Sequence, residues 1–95
     1  MAETEMTAVI VYDISRSGVR RKVSGLLEAS MARVQKSVFE ARMTRRQAER
    51  LFARARAMLE EGDSIRLYML TAMGVEKSRQ HGGPPLPEDG NYWLL

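Results

Sequence analysis

Residues 8–13, Ala-Val-Ile-Val-Tyr-Asp, place β-forming side chains at four successive positions, Val9, Ile10, Val11 and Tyr12, and end on a carboxylate. Such a run suits a strand covered on both faces. From residue 18 the period changes. Val19, Val23, Leu26 and Leu27 fall on one stripe while Arg20, Arg21, Ser24 and Glu28 point elsewhere, which predicts an amphipathic helix over about 18–31 with Ser17 as its cap. Residues 32–43 carry Val34, Val38 and Phe39 without a helical period. Twelve extended residues are long for one strand, so the segment predicts a hairpin turning near Lys36-Ser37. Over 44–61 the pattern is helical again. Thr44 and Gln47 match a capping box, and Ala48, Leu51, Phe52, Ala55, Met58 and Leu59 keep a three-to-four spacing. Gly62 is the expected stop, with Arg46 and Glu49 able to pair along the outer face. Residues 64–70 alternate, with Ile65, Leu67 and Met69 on one side and Ser64, Arg66 and Tyr68 on the other: a half-buried strand. Residues 76–91 are rich in Gly, Pro and charge and read as a loop. Tyr92-Trp93-Leu94-Leu95 then turn apolar.

Strand, helix, hairpin, helix and strand in that order describe an α+β fold. The expected arrangement is a ferredoxin-like βαββαβ with an antiparallel sheet and both helices on one face, over residues 1–73, followed by a tail at 74–95 that adds a further strand if it docks. The other sheet face then lacks a helical cover, which predicts a homodimer. A chain of 95 residues without cysteine has one modest core and no disulfide to reinforce it, which points the same way. No apolar run reaches the ~20 residues of a membrane span, and the first residues are acidic, unlike a secretion signal. No membrane association is expected, and the expected compartment is cytoplasmic.

Charge sharpens the picture. The net charge is only +3, yet twelve of the fifteen Lys and Arg, against three acids, fall between Arg16 and Arg56, giving that segment +9. A basic surface and an anionic partner follow, set against the plainer reading of an Arg-rich solvated helix.

Taken in order, Val11-Tyr12-Asp13-Ile14, Arg20-Arg21-Lys22-Val23, Arg33-Val34-Gln35-Lys36-Ser37-Val38-Phe39-Glu40 and Asp63-Ser64-Ile65-Arg66-Leu67-Tyr68 resemble the small CRISPR-associated Cas-two family. The resemblance runs from about Val9 to Leu70, and the Arg-Val-Gln-x-Ser-Val-Phe-Glu segment is its most specific piece. It implies a ferredoxin-like homodimer joined sheet to sheet. It also implies a bridge between dimers of the Cas-one integrase during spacer acquisition, with duplex DNA as ligand. Several members are reported as divalent-metal-dependent nucleases. The family's strand-end aspartate and neighbouring aromatic correspond to Asp13 and Tyr12. Its basic helix-start residue matches Arg20, and the Arg and Phe of the signature match Arg33 and Phe39. One departure is that Ser15, Arg16 and Ser17 stand where some members carry further acids.

Asp13 is thus the candidate catalytic and metal-ligating residue. One carboxylate is too few for a usual Mg²⁺ site, so a single Mg²⁺ shared between the Asp13 residues of two protomers is the form such a site would take. The structural alternative has Asp13 cap the next helix or pair with Arg20, Arg21 or Lys22. Arg16, Arg20, Arg21, Lys22, Arg33 and Lys36 are candidates for phosphate contact. Tyr12 and Phe39 are assigned to core or dimer packing rather than to base stacking. Tyr92, Trp93, Leu94 and Leu95 are assigned to docking on a sheet edge of a partner. Three functions stay open: foremost a scaffold for the integrase, then a metal-dependent endonuclease on RNA or DNA, and, leaving the resemblance aside, a generic basic nucleic-acid-binding domain.

Overall fold

The computed structural model describes residues 3–82. Its elements run β1 (Glu5–Asp13), α1 (Ser17–Glu28), β2 (Ala32–Gln35), β3 (Val38–Thr44), α2 (Arg45–Arg56), β4 (Ser64–Leu70) and α3 (Ala72–Glu76). The strands form one antiparallel sheet in the order β2-β3-β1-β4. With α1 and α2 this is the ferredoxin-like α+β arrangement that the hydrophobic pattern implies. The expected hairpin is present, with Lys36 and Ser37 at its turn and a register shift between Arg33 and Gln35.

Register decides which side chains meet. Ile10 stands opposite Phe39 on one side and Leu67 on the other, and Ala8 opposite Ala41 and Met69. These residues project to the helical side. There they join Val19, Val23 and Leu27 of α1 and Ala48, Leu51 and Ala55 of α2 in the core. Phe39, Ile10, Leu27 and Val23 are its largest fully buried side chains. Strand alternation sends Thr7, Val9, Val11 and Asp13 to the second face. The short α3 packs against β1 and β4.

Several boundaries differ from expectation. Ser17 does not cap α1: the N-cap is Arg16, in extended conformation and without a side-chain cap bond, and Ser17 is the first helical residue. The same helix stops at Glu28, because the amides of Ser30 and Met31 both turn back to the Leu27 carbonyl, at 3.0 and 2.8 Å, and bring Met31 into the core. The capping box at Thr44 and Gln47 is formed, but α2 ends at Arg56 rather than near Glu61. Its last turn tightens to three-residue bonds, Met58 N–H to Ala55 and Leu59 N–H to Arg56, which lets Met58 and Leu59 pack on the core. Gly62, with φ +90°, therefore serves the turn before β4 and not the helix end. On the outer face Glu49 approaches Arg45 at 3.9 Å, whereas Arg46 reaches Glu3 at 3.0 Å. The α3 helix runs across the expected boundary between domain and tail at position 73. Tyr92, Trp93, Leu94 and Leu95 lie outside the described residues.

Phe39 carries the largest single share of this packing. Its truncation to Ala should lower the unfolding free energy by about 3–5 kcal/mol, measured by urea denaturation of the purified chain. A loss below ~1 kcal/mol would contradict its place at the centre of the core.

Candidate nucleic-acid interface

The end of the sheet where β1 finishes is where the chemistry-bearing residues of the sequence converge. An open cleft of about 500 Å³ there is lined by Tyr12, Asp13 and Ile14 from β1 and its exit. Ser17, Arg20, Arg21 and Ser24 line it from α1, and Arg33, Lys36 and Ser37 from the hairpin. The lining thus holds four basic side chains and one acidic one. Lys22 is on the same helix but does not line the cleft, and Arg16 is drawn away to Glu60, with 2.6 Å between the charged atoms.

The basic side chains here divide into those that build the cleft and those that are free. Arg20 donates from one nitrogen to the carbonyls of Ile14 and Ser15, at 2.9 and 2.7 Å, and so holds the turn between β1 and α1 in place of the missing cap. Arg33 lies over the Phe39 ring, 5.0 Å from its centroid. It donates to the Lys36 carbonyl at 2.7 Å and reaches Glu28 at 3.1 Å. The Tyr12 hydroxyl donates to that same carbonyl at 3.2 Å, and the Tyr12 ring stacks near Phe39 with centroids 6.2 Å apart. Tyr12 and Phe39 are both buried. The side chains of Arg21, Lys22 and Lys36 are exposed and make no hydrogen bond or ion pair among the described residues. Their charge is available to a ligand.

Asp13 takes neither structural role open to it. It is exposed, and its carboxylate has no hydrogen bond or ion pair among the described residues. The helix-entry role belongs instead to Asp63, a residue that the sequence pattern did not single out. One Asp63 oxygen accepts from the Ser15 amide at 3.2 Å and the other from the Glu60 amide at 2.9 Å. With the Arg16–Glu60 pair, this ties the β1–α1 turn to the α2–β4 turn. Nothing local signals such a contact, since Ser15 and Asp63 are 48 positions apart.

Asp13 projects to the second sheet face, in line with Val9 and Val11. There Val11 stands between Val38 and Arg66, and Val9 between Glu40 and Tyr68. Val9, Val11 and Val38 are partly exposed and lie outside the core, and Tyr68 is 47% exposed. Arg66 donates to the Tyr68 hydroxyl at 3.0 Å, which favours the charged guanidinium and raises its pKa further. The metal expectation has a plain test in the donor set. No group of three His, Cys, Asp or Glu side chains is positioned to hold an ion among the described residues. Of the acids near this end, Asp63 has both oxygens occupied and Glu60 is paired with Arg16. Asp13 is the one carboxylate in the cleft lining, which fits a divalent ion only as half of a shared site. No helix among the described residues is long and apolar enough to cross a membrane.

Comparison with known proteins agrees with this fold. The sequence model for CRISPR associated protein Cas2 matches residues 6–78. A relative from Synechocystis, a CRISPR-associated endoribonuclease Cas2, is 38% identical over 79 residues, covering 82% of this chain and 86% of its own. A crystal structure of a Thermus thermophilus protein, solved as a hypothetical protein, superimposes with a TM-score of 0.74 at 36% identity, over 90% of this chain and 100% of that one. A chain from a partial Cas6-RT-Cas1–Cas2 complex superimposes with a TM-score of 0.62 at 31% identity, over 79% of this chain and 89% of that one.

The two-sided anchor of Asp63 has a measurable consequence. Asp63→Ala should destabilise the fold by about 1–2 kcal/mol and speed hydrogen exchange at the Ser15 amide, with Asp63→Asn intermediate because one acceptor oxygen remains. Unchanged exchange at Ser15 in Asp63→Ala would show that the turn is held by other means.

Proposed function

The chain belongs to the CRISPR-associated protein Cas2 family, and on that premise we propose that it is a scaffold of CRISPR spacer acquisition. In this reading two copies pair through their second sheet faces, bridge dimers of the Cas1 integrase and hold prespacer duplex DNA along their basic clefts. The observation that carries it is the set of unpaired cations, Arg21 and Lys36 in the cleft and Lys22 beside it, around a frame built by Arg20, Arg33, Tyr12 and Asp63. A ligand whose phosphates are contacted in this way is positioned without being read by sequence. Support for pairing comes from Val9, Val11, Val38 and Tyr68, an apolar strip that no helix of the core layer covers. Support for the integrase as partner is the superposition on a chain of a Cas1–Cas2 complex.

One observation favours a second reading. The Asp13 carboxylate is exposed and unpaired, and the Synechocystis relative bears the name endoribonuclease. In that reading the two Asp13 side chains of a dimer hold one Mg²⁺, which supplies Lewis-acid chemistry at a phosphodiester, while Arg21 and Lys36 bind the flanking phosphates.

Binding and acquisition separate the two. For the scaffold, the affinity for duplex DNA should fall steeply with salt. Arg21→Ala with Lys36→Ala should flatten the log–log dependence by about 0.9 for each phosphate that is no longer neutralised. Titration of a labelled duplex across a salt series reads this directly, and an unaltered slope would remove the cleft from the interface. In cells, Asp13→Asn should leave spacer acquisition at the wild-type level. Failure of acquisition with the integrase complex still assembled would favour the nuclease.

A further inference from the structure

A second basic surface remains beside the one already described. Helix α2 holds five arginines and one acid in twelve residues. Arg45 and Arg46 have acidic neighbours in Glu49 and Glu3. The side chains of Arg50 and Arg54 are exposed and make no hydrogen bond or ion pair among the described residues. They stand one turn apart on the same ridge, an i, i+4 pair of like charges that disfavours the helix unless an anion lies between or along them. Both line an open cleft of about 310 Å³, together with Gln47, Ser30 beyond α1 and the already engaged Arg42–Glu5 pair. Gln47 spends its carbonyl oxygen on the capping box, accepting from the Thr44 amide at 2.9 Å, so its amide N–H groups are left to the groove. The cleft shares no lining residue with the one at the end of β1.

We propose that this α2 ridge is a second contact for the phosphate backbone of the bound nucleic acid, with Arg50 and Arg54 as the charged contacts and Gln47 and Ser30 as neutral donors. This rests on the scaffold reading and extends it from one surface of the protomer to two. The chemistry favours a polyanion over a small molecule or a protein. The cleft is open and has no buried charged group to orient a small ligand. Its apolar members, Leu51 and Met43, are already spent in the core. It therefore lacks the aromatic or aliphatic anchor on which protein interfaces concentrate their binding. Two guanidiniums separated by a helical rise of ~6 Å can instead reach phosphates about two steps apart on one strand, at ~3.4 Å per step along the axis.

The test uses the full chain and a labelled blunt duplex, titrated in salt from about 50 to 200 mM. Arg50→Gln with Arg54→Gln should weaken binding at the lowest salt by about tenfold and flatten the log–log slope by about 1.8 per engaged protomer. Arg50→Lys with Arg54→Lys, which keeps the charge, should retain most of the slope. Arg45→Gln with Arg46→Gln should change it less, because those side chains already have acidic neighbours in Glu49 and Glu3. Wild-type binding and slope in the Gln pair, while Arg21→Ala with Lys36→Ala still weakens binding, would overturn the ridge and leave the scaffold reading standing. Failure of the wild-type chain to bind duplex at any salt would overturn both. Loss of Cas1 association with duplex binding intact would assign the ridge to the protein partner and overturn it as a phosphate contact.

Discussion

The register of β1 is the constraint on which the other features depend. It pairs on both sides, with Ile10 between Phe39 and Leu67 and Tyr12 opposite Ile65. Because strand side chains alternate, a slip of one residue would move Ala8, Ile10 and Tyr12 out of the core and Val9, Val11 and Asp13 into it. The observed register does two things at once. It places a full apolar layer beneath α1 and α2, and it delivers Asp13 to the far face at the point where the strand stops. The cleft exists because Tyr12, the last core residue of β1, donates to the carbonyl at the hairpin turn and so brings Lys36 and Arg33 alongside α1.

Positive charge in this chain is of two kinds, and only geometry separates them. Arg16, Arg20 and Arg33 serve mainly as frame, through Glu60, two turn carbonyls, and Glu28 with the Phe39 ring. Exposed ion pairs of this sort add little stability each, commonly below ~1 kcal/mol, so their value is in fixing where the turns lie. Arg21, Lys22, Lys36, Arg50 and Arg54 have no such duty among the described residues. A segment charge of +9 is therefore partly spent inside the protomer, and the remainder is what a polyanion meets.

Much of the fold could be read from the chain because its local patterns agree with one another. The four β-formers of β1, the Thr44–Gln47 box and the alternation from Ser64 onward each carry a period that belongs to one element type. The hairpin at Lys36-Ser37 was readable from length alone, with no Gly or Pro to mark it. Helix ends were less legible. Gly62 resembles a C-terminal stop, yet Met58 and Leu59 gain more by folding onto the core than by extending α2. At the site, the residue types and their approximate neighbourhood were legible. What no local pattern could carry was the exchange of roles between two aspartates, with Asp63 anchoring the turn and Asp13 left free, since it depends on a contact spanning 48 positions.

On this account the sheet face that α1 and α2 leave uncovered, with Val9, Val11, Val38 and Tyr68, is covered by a second copy, which sets two basic clefts and two Asp13 side chains in one particle. Sedimentation velocity of the purified chain over a wide range of concentrations measures this most directly. Pairing requires a species of twice 10.8 kDa that persists on dilution into the micromolar range. A single species of one chain mass at every concentration would contradict it.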